Sequence, residues 1–194
     1  MVYKPKYDYL INDGELRAVI DVHKRNKSII EVGKTDVPLA TIAFLRAENE
    51  LKHAESVFKI SNSNTLKSEL DLLEKDTFYS GVITHAYYAI FYAAKALLQK
   101  VGVELKSPNI HKAGLDAFAF YYIVNGRLDV ELLNIYKSAI VKADSLLELF
   151  ASEKDKRGTF TYLKLPDANK EPASESIRNA TEFLTHAKKI LQKK

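Results

Sequence analysis

At 194 residues, with 29 Lys and Arg against 25 Asp and Glu, the chain is sized for one domain with an appendage and carries a net charge of only +4. Having no cysteine, it cannot use a disulfide framework, a thiolate zinc site or a cysteine nucleophile, and it suits a reducing compartment. No apolar run approaches the roughly 20 residues that span a bilayer, and the opening MVYKPKYDYLIND holds no signal-peptide core, so a cytoplasmic protein with no membrane contact is expected.

Glycine and proline are sparse, and the stretches between them repeat apolar residues every three or four positions, the period of an amphipathic helix. Residues 1–38 are an N-terminal lead-in; within them GELRAVIDVHKRNKSIIEVG (14–33) reads as short helical pieces despite the β-rich SIIEV. Residues 39–194 form the main bundle. Its first helix is LATIAFLRAENELKHAESVFKI (39–60), whose apolar set includes Leu39, Ile42, Leu45, Ala47 and Ala54. ISNSNTLKSEL (60–70) is rich in turn formers and reads as a loop.

A helix from about Asp76 to Val101 is apolar nearly all round, which makes it the most buried. Its alanines at 86, 89, 93, 94 and 96 let another helix approach closely. The next helix takes Ser107 as cap and Pro108 as first residue, and stops at Gly126. A long helix starts near Leu128 and runs toward Arg157; ASESIRNATEFLTHAKKILQ supplies the last. The expected fold is all-α, an antiparallel up-and-down bundle of about five main helices.

Four segments then resemble one family. AYYAIFYAAKALLQKVG (86–102) is similar to the signature helix of the HEPN domain, in the branch that accompanies small nucleotidyltransferases. HKAGLDAFAFYYIVNGRLD (111–129), KADSLLELFASEKDKRGTFTY (142–162) and SESIRNATEFLTHAKKIL resemble its later blocks in order, so the likeness runs over about residues 39 to 192. The resemblance implies a HEPN-like helical bundle that forms a homodimer, with an R-x(4–6)-H motif from each subunit meeting in a cleft. Some members are metal-independent ribonucleases that act as toxins; others lack activity and bind nucleic acid or nucleotides beside a nucleotidyltransferase.

On that resemblance Arg157 is the family arginine and Tyr162 stands where active members have histidine. Arginine suits phosphate because its planar fork donates paired hydrogen bonds and stays charged. Tyrosine, with an ordinary pKa of about 10, is a poor base at neutral pH, and loss of an acid–base group typically costs about 10²–10⁴ in rate. Gly158 is a second departure from the ribonuclease pattern. Five positions along an ideal helix separate two side chains by about 140°, so Arg157 and Tyr162 share a cleft only if the helix loosens at Gly158. The alternative is a helix-terminal cation and an aromatic anchor.

His85 and His111 are the other candidates for proton transfer, and Lys156 and Lys112 complete the expected nucleic-acid-binding set. The five histidines show no H-x(3)-H or HExxH spacing, so no metal site and no cofactor is expected. Tyr87, Tyr88, Phe91, Tyr92, Phe118, Phe120, Tyr121 and Tyr122 fit core or dimer interface better than a stacking platform, although some hydroxyls could open onto the cleft. Three functions follow. The first is a homodimer with a nucleic-acid- or nucleotide-binding cleft, partnering a nucleotidyltransferase in a toxin–antitoxin-like pair with weak or no catalysis. The second is a metal-independent endoribonuclease toxin, and the third a helical dimer that only scaffolds a partner.

Overall fold

The computed structural model describes residues 7–34, 37–107, 109–155 and 170–192, with side chains described through Ala143 in the first three stretches. Helices dominate. A 3-10 turn (Asp8–Ile11) leads into α1 (Asp13–Arg25), followed by β1 (Ile29–Glu31), α2 (Val37–Asn62), α3 (Asn64–Glu69), α4 (Tyr79–Lys100), β2 (Val103–Leu105), α5 (Ile110–Phe118), α6 (Val130–Asp155) and α7 (Lys170–Gln192). The expected all-helical bundle is present, with a two-stranded sheet added. Among the described residues no helix is long and apolar enough to cross a membrane.

α4 is the axis of the bundle. Its alanines Ala86, Ala89, Ala93, Ala94 and Ala96 are all buried, and α2 lays Ala40, Ala43, Ala47 and Ala54 on the same side of the core. The two helices run antiparallel. Phe78 N–H donates to Ser61 Oγ and Tyr79 OH to Asn62 Oδ1 at one end, while Glu50 meets His85 and Arg46 meets Tyr92 farther along. Small side chains on both helices permit this close approach, because nothing bulky holds the backbones apart. α7 buries Ala173, Ser176, Ala180, Phe183, Leu184 and Ala187, one helical stripe, and Phe183 joins Phe118 and the fully buried Tyr136 of α6 in an aromatic cluster.

Four local expectations are corrected. The outer apolar residues of α2, Leu39, Ile42 and Leu45, are exposed; alanines and Phe44 form its buried face instead. The stretch 60–70 is not a loop: Ser63 Oγ accepts from Leu66 N–H and caps α3, whose buried Lys67 donates to the Glu74 carbonyl at 2.5 Å. SIIEV is a strand rather than helix. Ile29 pairs with Leu105, Ile30 with Glu104 and Glu31 with Val103, antiparallel. Its β-branched residues suit a pleat, and Gly102 turns the chain into β2 at φ +74°, where a Cβ would press on the Lys34 backbone at 3.2 Å.

α5 begins at Ile110 rather than after Ser107, with Asn109 in the left-handed region (φ 62°) ahead of it. It then widens into a π-helical stretch at Ala119–Val124, closed at Gly126 (φ 65°). There the Tyr122 carbonyl accepts from both Arg127 and Leu128 N–H at 2.9 Å, which satisfies an end that the irregular turn would leave open. Residues of the N-terminal lead-in share the central core: Leu10, Leu16, Ile20 and Ile29 are buried within it.

Candidate functional site

Arg157, Tyr162 and Lys156, which carried the expected cleft, lie outside the described residues. His85, His111 and Lys112 are all described, and each belongs to a polar constellation.

His85 stands on the α4 face that looks past α2. Its Nδ1 lies 2.6 Å from Glu50 Oε2, and the other carboxylate oxygen receives Arg46 Nη2 at 2.6 Å and Nε at 2.8 Å. Glu50 is buried, so an unpaired charge there would cost several kcal/mol; Arg46 and His85 together satisfy it. In the neutral tautomer that donates from Nδ1 to Glu50, His85 Nε2 is the accepting nitrogen. His53, one helical turn beyond Glu50 and exposed, stacks on His85 with ring centroids 3.7 Å apart.

The same surface continues along α4. The Arg46 guanidinium, 60% exposed, lies 5.7 Å from the centre of the Tyr92 ring. Tyr92 contacts Tyr88 at 6.3 Å, and Tyr88 meets His111 of α5 edge-on at 5.9 Å. His111 is exposed, and its Nδ1 is bonded to the Tyr87 hydroxyl at 2.7 Å. Tyr88 and Tyr92 are half-buried, anchored by one edge with part of each ring open. Tyr87, Phe91, Phe118 and Tyr122 are core, as the helical spacing indicated.

These contacts form one unbroken line, from His53 through His85, Glu50, Arg46, Tyr92 and Tyr88 to His111. Residues 60–114 match the HEPN domain family model. That HEPN match takes in the end of α2, α3, α4, β2 and the first half of α5, and so includes His85, Tyr88, Tyr92 and His111. It covers less than a third of the 194 residues, a shorter span than the resemblance drawn over 39 to 192, and Arg157 and Tyr162 fall beyond it. No curated protein and no solved structure matches the chain.

Lys112 serves a different constellation. Its Nζ donates to Asp116 Oδ2 at 2.9 Å and to the Tyr9 hydroxyl at 3.1 Å. His23 Nε2 approaches the same Asp116 oxygen at 2.8 Å, and Tyr9 OH donates to Oδ1 at 2.7 Å. Asp116 has no solvent exposure. Burial alone would push its carboxyl up; the hydrogen bonds from His23, Lys112 and Tyr9 outweigh that and hold it below the ordinary aspartate value. Burial, and then Asp116 itself, pushes the Tyr9 phenol far above its ordinary value, so it remains a donor. Lys112 is thus committed to a lock between the N-terminal turn, α1 and α5, and a phosphate would have to compete for it.

The Glu50, His53 and Arg46 members of the line had no signal in linear spacing. They come from a helix remote in sequence from His85, and only the antiparallel register of α2 on α4 brings them together.

Proposed function

We propose that this is a HEPN-type RNA- or nucleotide-binding protein whose α2–α4 face, together with His111, receives the phosphate backbone and bases. One observation carries the proposal: Arg46, Tyr92, Tyr88 and His111 stand side by side, each exposed or half-open. Arg46, whose guanidinium is 60% exposed, supplies the phosphate contact in competition with its ion pair to Glu50, and the tyrosine rings offer stacking surfaces that accept any base. The small net charge agrees with phosphate contact confined to this face rather than a molecule basic throughout. On the wider resemblance the protein would form a homodimer and work with a small nucleotidyltransferase, in a toxin–antitoxin-like pair. Arg157 and Tyr162 would add to the same cleft from the later part of the chain.

Binding of fluorescein-labelled single-stranded RNA, followed by anisotropy across a salt series, tests this. Affinity should fall steeply with salt as phosphate contacts release counterions. Tyr92→Ala should weaken binding about tenfold, since stacking is worth roughly 1–3 kcal/mol per base, and Arg46→Ala should flatten the salt slope. Salt-independent binding, or unchanged affinity in both variants, would refute the assignment; no binding at all would favour the partner-scaffold alternative.

The pairing of His85 with Glu50 favours a second reading, metal-independent ribonuclease activity. A carboxylate that fixes an imidazole and leaves its outer nitrogen free is the arrangement a general base requires. RNA cleavage in EDTA, abolished in His85→Ala, would establish it; intact RNA would exclude it.

A further inference from the structure

The end of this face at Glu50, His53 and His85 has a second chemical character that does not depend on RNA. Each of the three residues offers one donor atom, and those atoms all lie within 4.8 Å of one another. We propose that they bind a divalent first-row transition ion of the zinc class.

Two imidazole nitrogens and one carboxylate oxygen form a borderline donor set, suited to zinc, cobalt or nickel and poorly suited to magnesium or calcium, which take oxygen alone. Around a tetrahedral ion with bonds near 2.1 Å, donors sit about 3.4 Å apart. The Glu50 Oε2–His85 Nδ1 contact of 2.6 Å would open by about 0.8 Å and separations of up to 4.8 Å would close, shifts on the scale of side-chain rotation. The backbone is prepared for this: α2 and α4 meet through alanines on both sides, so the two ligand-bearing helices are fixed against each other.

Glu50 is suited to its part. Arg46 takes Oε1, which holds the carboxylate plane in place and leaves Oε2 on the histidine side. The ion would take His85 Nδ1 and Glu50 Oε2, and the hydrogen now on Nδ1 would pass to Nε2 as the neutral ring changes tautomer. Glu50 then serves both sides, with Oε2 on the ion and Oε1 on Arg46. His53 is exposed, so the ion has open access and keeps at least one position for water or an incoming phosphate oxygen.

Untagged full-length protein, stripped with EDTA and dialysed, is titrated with Co²⁺ and followed by visible absorption; Zn²⁺ is then added as competitor and titrated separately by calorimetry. No RNA is present, so the result is independent of the binding face proposed above. Ligand-field bands that saturate at one equivalent and are bleached by zinc are expected. His53→Ala and His85→Ala should each weaken binding by about tenfold or more, while His186→Ala, an exposed histidine on α7, should leave it unchanged. Circular dichroism checks each variant, and if His85→Ala does not fold, the exposed His53→Ala carries the test. Absence of the bands, or equal affinity in His53→Ala and the parent, would overturn the site.

Discussion

Asp116 has no access to water, yet it retains its charge because three donors converge on two oxygens. In the unfolded chain it titrates near the ordinary value of about 3.9, and in the folded chain lower. As acid is added, the unfolded chain therefore binds the proton first. The stability that Asp116 contributes is complete above that ordinary value and is lost as pH falls from there through the folded value. Asp116→Asn preserves shape but leaves Lys112 without its counter-charge and deprives His23 and Tyr9 of their carboxylate partner. Urea unfolding at neutral pH should show a loss of about 3 kcal/mol, and the acid limb of the stability profile should flatten. An unchanged midpoint would mean that the network contributes nothing net.

Within elements, Gly114 on α5 marks a closely packed point. A Cβ there would meet Leu105 Cδ1, Phe91 Cε2 and the Tyr136 hydroxyl, each at 3.2 Å. Leu105 ends flexibly, but Tyr136 is fully buried and Phe91 is held against Tyr87 and His111. Gly114→Ala should therefore lose stability by about 1 kcal/mol in thermal or urea unfolding, the overpacking exceeding the gain in helix propensity. The long helices were legible in the sequence because each repeats its apolar residues over several turns. β1 was not, since three residues carry no period and their partner strand begins only at Val103. α3 is too short to show a face, and its one buried residue is Lys67, which a pattern of apolar positions passes over. The apolar residues of α2 fall into two stripes, and periodicity alone does not say that the alanine stripe is the one turned inward. The candidate site was legible in part: His85 and His111 stood out as single residues, whereas Glu50, His53 and Arg46 became visible only through the register of two helices.

At the scale of the whole molecule, the exposed half of α2 matters most. Val37, Ile42 and Leu45 are all more than half exposed, and Val37 and Leu45 border a groove of about 600 Å³ between α2 and α7. In the homodimer proposed above, a second copy would cover this strip. Ile42→Glu combined with Leu45→Glu should convert the dimer to a monomer by light scattering while leaving circular dichroism unchanged; a monomeric parent would contradict the proposal. Both positions point away from the alanine seam, so the folded subunit should tolerate the change.

The clasp between β1 and β2, with the Asp116 lock beside it, has a practical consequence for anyone trimming the chain to the helical bundle that begins near residue 39. A fragment starting at residue 39 would lack Tyr9 and His23, two of the three donors on Asp116, and would present β2 with a bare backbone edge. Such a fragment would carry a sticky margin next to an under-compensated anion, and would invite aggregation even with every bundle helix retained.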